Sequence, residues 1–146
     1  MRATEIGVDA RAVVAEYLKL ETTNNGEASL LYPITGVRIY PVGLPTGFLH
    51  SDDAVVVRFR SDEEIAGTSV GRSSIEFRAY GDTADPDSAV SVALALRRQL
   101  RLASDEHVAS GVLMSVQMEG GSGELIRTPS GVRPWIPIFA QALTKP

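Results

Sequence analysis

Residues Ala54–Leu102 read AVVVRFRSDEEIAGTSVGRSSIEFRAYGDTADPDSAVSVALALRRQLRL, and the rest of the chain is organised around them. The second half of this stretch predicts a helix. Asp85 stands just before Pro86, an N-cap acceptor followed by a residue that needs no N–H at the first helical position. Asp87 adds negative charge where the helix dipole is positive, and Arg97, Arg98 and Arg101 add positive charge at the far end. Ala89, Val92, Ala93, Leu96 and Leu100 recur at three- and four-residue spacing, one stripe facing a core. Val90 and Leu94 are expected to widen it.

Two strands precede the helix. In Ala54–Arg60, Val55, Val57 and Phe59 fall on one face and Val56, Arg58 and Arg60 on the other. In Ser73–Tyr80, Ile75, Phe77 and Ala79 oppose Ser74, Glu76, Arg78 and Tyr80. The connection Ser61–Arg72 is acidic and then rich in Gly, Ser and Thr. It is longer than a hairpin turn and is expected to project from the body. Arg58 and Arg60 face Glu76 or oppose Arg78, depending on a register that the sequence leaves open.

Working outward, Asp9–Glu21 reads as a first helix with Val13, Val14, Tyr17, Leu18 and Leu20 on its apolar side, after a short flexible N-terminus. Asn24-Asn25-Gly26 ends it. Ala28–Tyr32 reads as a short return segment and Gly36–Val42 as a strand. Pro41, Gly43, Pro45 and Gly47 then break regular structure. Beyond Leu102, Ala103–Ser110 reads as a polar connection and Gly111–Glu119 as an alternating strand. Gly120–Gly123 is a turn, across which Glu124–Thr128 pairs back. The last apolar run, Val132–Leu143, carries Pro134 and Pro137, which place its first half at a sheet edge or bulge. Ile136, Ile138, Ala140 and Ala142 fill one face of it; Trp135, Phe139 and Leu143 fill the other. The expectation is a single α+β domain over residues 1–146: one mixed, mostly antiparallel sheet of about five strands, with two main helices packed against it.

The totals narrow the function classes. With 44% hydrophobic and 22% charged residues the chain is of ordinary globular composition. It has no cysteine, which excludes thiolate metal sites and a cysteine nucleophile. No apolar run approaches the ~20 residues of a membrane span, and no signal-peptide core is present, so synthesis in the cytosol is expected. The net charge of −4 argues against nucleic-acid binding through bulk electrostatics. Only Lys19 and Lys145 are lysine; the other basic residues are arginine. Arginine is enriched at protein interfaces, where its planar fork pairs with carboxylates, and a GC-rich genome produces the same bias.

No catalytic constellation emerges. His50 precedes Ser51-Asp52-Asp53 and His107 follows Ser104-Asp105-Glu106, but both clusters are local and lie in polar loops. His50, Asp52 and Asp53 are too close in sequence to converge readily on one metal ion. Gly120–Gly123 lacks the following helix and the lysine of a phosphate loop. Asp62, Glu63 and Glu64 have no apolar surroundings to tune them for acid–base work, which favours a solvated or partner-facing patch. No cofactor or metal is expected.

The order of elements resembles the tail terminator (tail completion) proteins of long-tailed bacteriophages and phage-like particles. The resemblance rests on Ser73–Tyr80 as a strand closed by Gly81-Asp82, the Ala- and Leu-rich helix ending near Leu100, and the strand Gly111–Glu119. It rests further on the final strand with Trp135, the first helix and Val37-Arg38-Ile39-Tyr40-Pro41, and it spans residues 9–144. It implies a six-membered ring of this protein on the tail tube, contacting the tube protein and the head connector or head-closure protein. It also implies a place in the virion tail or neck and no catalytic residues. Arg58, Arg60, Asp62, Glu63, Glu64, Arg72, Arg78 and Trp135 are the expected interface residues, the acids meeting arginines of a neighbour. A head-closure or other minor virion protein, a monomeric binding module, and a small enzyme using His50 or His107 are the alternatives.

Overall fold

A computed structural model describes residues 8–41, 43–44, 53–64, 69–82, 85, 87–119 and 135–146, with the side chains of all but 62–64. Helix α1 (Ala10–Leu18) begins where Asp9 Oδ1 accepts from Arg11 N at 3.0 Å. It stops short of the expected Glu21, because Glu21 and Thr23 serve the return segment instead. Glu21 O accepts from Ser29 N at 2.8 Å, Thr23 N donates to Glu27 O at 2.8 Å, and Thr22 bridges Ala28. Gly26 closes the turn at φ 84°, where a side chain would be strained. A one-turn helix absent from the sequence expectation, α2 (Tyr32–Thr35), follows. Ser29 Oγ accepts from Leu31 N and Tyr32 N, and Pro33 needs no N–H there.

Strand β1 is only Ile39–Tyr40, shorter than the expected Gly36–Val42, and pairs parallel with β2 (Ala54–Glu64). Arg38 fixes this junction, donating from Nε to Asp53 O at 2.7 Å and from its fork to Ile34 O at 3.0 Å. Strand β2 runs four residues past its expected end. Ser61, Asp62, Glu63 and Glu64 pair with Ser74, Ser73, Arg72 and Gly71 of β3 (Gly71–Tyr80), so both ends of the projecting loop expected over Ser61–Arg72 are ladder, while residues 65–68 lie outside the described residues. The register slips between Phe59 and Ser61, a bulge at Arg60 that turns the alternation over by one residue.

Helix α3 (Ser88–Leu102) has Asp87, not Asp85, at its N-cap, without a side-chain capping bond. Asp85 bridges Asp82, and its carbonyl accepts from Ser88 N. Pro86 lies outside the described residues. The connection expected after this helix is instead a strand, β4 (Ser104–Val108), paired with β5 (Gly111–Met118). Strand β6 (Trp135–Lys145) is central, not an edge: it pairs with β3 from Gly71↔Thr144 to Tyr80↔Trp135. On its other side the described ladder with β5 ends at Met118↔Ala140. Pro137 lies beyond that point, so the proline demands an edge only locally. The expected Gly120–Gly123 turn and Glu124–Thr128 strand lie outside the described residues.

Among the described residues the sheet has six strands in the order β1-β2-β3-β6-β5-β4, mixed through one parallel pair. It exceeds the expected five through β4, which stands where a polar connection is expected. Both long helices cover one face. Val13, Val14, Tyr17 and Leu18 of α1 and Ala89, Val92, Ala93, Leu96 and Leu100 of α3 close over Val55, Val57, Ile75, Phe77, Ala79, Leu113, Ile136, Ile138, Ala140 and Ala142. Each large side chain so buried contributes about 1.5–3 kcal/mol. Val90 and Leu94 do not widen the stripe: they are 42% and 54% exposed, while Ala95 and Gln99 are buried. Gln99 is accommodated by satisfying its polar atoms, with Oε1 accepting from Leu30 N at 2.8 Å and Nε2 donating to Tyr17 Oη at 3.2 Å.

Candidate functional site

Among the described residues no helix covers the opposite face of the sheet, and most of the expected interface residues stand there. Alternation along β3 puts Arg72, Ser74, Glu76, Arg78 and Tyr80 on this side, while Ser73, Ile75, Phe77 and Ala79 are buried. The register resolves the pairing left open by the sequence: Arg58 stands directly opposite Glu76. Arg58 Nε lies 3.9 Å and Arg78 Nε 3.4 Å from Glu76 Oε1, so two guanidiniums share one carboxylate.

Arg60, displaced by the bulge, reaches across to Glu119 Oε2 at 3.4 Å, and Ser74 Oγ donates to Glu119 Oε1 at 3.3 Å. The arginines also lie on aromatic rings. The Arg78 guanidinium is 4.1 Å from the Trp135 ring centre, and that of Arg60 is 4.9 Å from Phe139. Tyr80 packs beside Trp135 with ring centres 6.4 Å apart, over a small second core of Ala54 and Val56. The apolar outer side of β6 is thus partly covered by arginine guanidiniums within cation–π distance of its rings.

The expected acidic group is not gathered into a loop here. Asp62, Glu63 and Glu64 are successive ladder positions of β2, Glu63 opposite Arg72. Arg72 is flanked on its other side by Leu143 of β6. Of the two histidines, His107 is exposed on β4, and its carbonyl accepts from Asn24 Nδ2 at 3.3 Å. His50 and Asp52 lie outside the described residues. Among the described residues no three His, Cys, Asp or Glu side chains are placed to share a metal ion.

Sequence reasoning missed Glu106. It is fully buried at the outermost strand, where Oε1 accepts from Asn24 N at 2.9 Å and Asn24 Nδ2 at 3.3 Å. Its Oε2 accepts from Asn25 Nδ2 at 3.3 Å and Ser104 N at 3.2 Å. Asp105, at φ 46°, curls the strand so that this carboxylate reaches back to Ser104. Asn24 and Asn25 also donate to the carbonyls of His107 and Ser104, which covers part of the free edge of β4. Burial pushes the Tyr17 phenol well above its ordinary pKa, and the Glu106 carboxylate adds to the shift. On the surface, a hydrogen bond to Glu21 raises the pKa of Tyr32.

Among the described residues no helix is long and apolar enough to cross a membrane. No protein-family model and no curated protein sequence matches this chain. Among solved structures, a chain of the "Virion of native gene transfer agent (GTA) particle" matches with a TM-score of 0.63, covering 94% of this chain and 95% of that one at 16% identity. The two chains therefore share one fold from end to end.

Proposed function

We propose that the protein is a non-enzymatic virion subunit of the tail-terminator kind, which forms a homo-oligomeric ring on the end of a tail tube and presents a surface to the head connector. The observation that carries this proposal is the end-to-end likeness to a chain of a gene transfer agent virion. The arrangement of the sheet supports it. Two long helices seal one face, and the other offers a broad arginine–aromatic surface of the composition that protein interfaces favour.

The test is tube capping. Tail tube protein from the same particle is polymerised with and without this chain, and tube lengths are measured by electron microscopy. Capping predicts short tubes that stop growing, with the chain found at one end. Unaltered lengths, with the chain bound nowhere on the tube, overturn the proposal. Binding to the portal side alone reassigns the chain to head closure.

A further inference from the structure

We infer that the arginine–aromatic face of β2, β3 and β6 docks a second copy of this chain, receiving the acidic corner formed by the Thr22–Ala28 turn and β4. This rests on the ring proposed above and assigns the two surfaces of its repeating contact. The first surface is electropositive on an acidic molecule. Arg58, Arg60, Arg72 and Arg78 share it with Glu76 and Glu119, and the register sets Glu63 opposite Arg72, so four arginines stand with three carboxylates where the whole chain carries −4. Arg58 and Arg60 remain about half exposed beside their carboxylate partners at 3.9 and 3.4 Å.

The second surface has the opposite sign. Glu21, Glu27 and Asp105 are exposed around the turn that Asn24 and Asn25 pin to β4. That pinning fixes the backbone of the corner, which lowers the ordering cost of presenting its carboxylates.

Topology keeps the two surfaces apart within one molecule. From β3, the nearer of the two strands that carry the arginines, to β4 the sheet order crosses three strand spacings, about 14 Å at the usual separation. The arginines of one molecule therefore meet such a corner only on a neighbour. A contact between two different patches is head-to-tail, and it propagates to a closed ring when the rotation allows, whereas a two-fold dimer uses one patch twice. Interface charge pairs of this kind also set partner choice and register.

The test uses the full chain and charge reversal on each surface. Ring population is read by light scattering and negative-stain electron microscopy, and folding is checked by circular dichroism. Arg58→Glu/Arg60→Glu and Glu27→Arg/Asp105→Arg are each expected to lose rings by about tenfold or more. Mixed in equal amounts they restore rings, because the reversed face of one then meets the reversed corner of the other. Neutral Arg58→Gln/Arg60→Gln gives a milder loss and serves if the reversal impairs folding. Rings that persist in both reversed variants overturn the inference while leaving the ring itself standing. Failure of the mixture to recover also overturns it, the arginine face then meeting a different virion protein. Wild-type protein that never forms a ring, alone or on a tube end, overturns the function proposal as well.

Discussion

Replacing Glu106 by Ala removes the acceptor of four N–H groups in the corner that joins the Thr22–Ala28 turn to β4. The two side-chain donors belong to exposed Asn24 and Asn25, and water replaces their lost bonds at little cost. The backbone donors of Asn24 and Ser104 are held in place and lose a hydrogen bond to a charged acceptor. Discounted for partial exposure, each is worth about 1–1.5 kcal/mol. The expected loss is therefore about 2–3 kcal/mol, which for a chain of this length lowers the melting temperature by roughly 5–10 °C. Glu106→Gln keeps the volume and one acceptor oxygen and is expected to lose about half as much. Thermal melting gives the global figure, and amide hydrogen exchange locates it: protection falls at Asn24 and Ser104 while α3 retains its own. A Glu106→Ala protein that melts within 2 °C of wild type (roughly 1 kcal/mol at this size), with both amides still protected, refutes the assignment of this carboxylate as the latch.

Further expectations concern other parts of the fold. Because Tyr17 has a raised folded pKa, its contribution is complete below the unfolded value near 10 and is lost as pH rises through the folded one. Denaturant melts of wild type and Tyr17→Phe should accordingly diverge above about pH 10, the wild type losing more stability. Gly81→Ala places a methyl group on the backbone of Ala89 at the start of α3, and about 2–3 kcal/mol of destabilisation is expected by urea titration. Leu94→Ser, on the solvent side of α3, should change stability by less than about 0.5 kcal/mol, a near-neutral result that the melting curve checks.

Much of the fold follows from periodicity because its core is built from periodic elements. The Ala89-to-Leu100 stripe, the alternation of Ile75, Phe77 and Ala79, and Ile136 through Ala142 all bury the faces their spacing predicts. Strand β4 was illegible for a physical reason. Its one fully buried residue is Glu106, and three of the four N–H groups that satisfy this carboxylate come from residues some eighty positions away. The charged end of β2 was likewise read as loop, since β3 stabilises it by pairing rather than by its own composition. Bulges at Arg60 and Met114 each shift the alternation by one residue, which a strict two-residue period cannot anticipate. The arginine face was partly legible: the sequence marked Arg58, Arg60, Arg78 and Trp135, and the register supplied the stacking of Arg78 on Trp135 and of Arg60 on Phe139. The acidic triad Asp62, Glu63 and Glu64 was marked as a projecting patch, and its backbone lies in the ladder.

The proposal that the chain acts through the assembly it builds is tested most directly by imaging the purified protein. Electron micrographs at raised protein concentration and low salt should yield class averages of a small closed ring with a central pore, dispersing as salt screens the charge contacts. Particles that stay single at every concentration, and show no collar when tail tubes are added, contradict it.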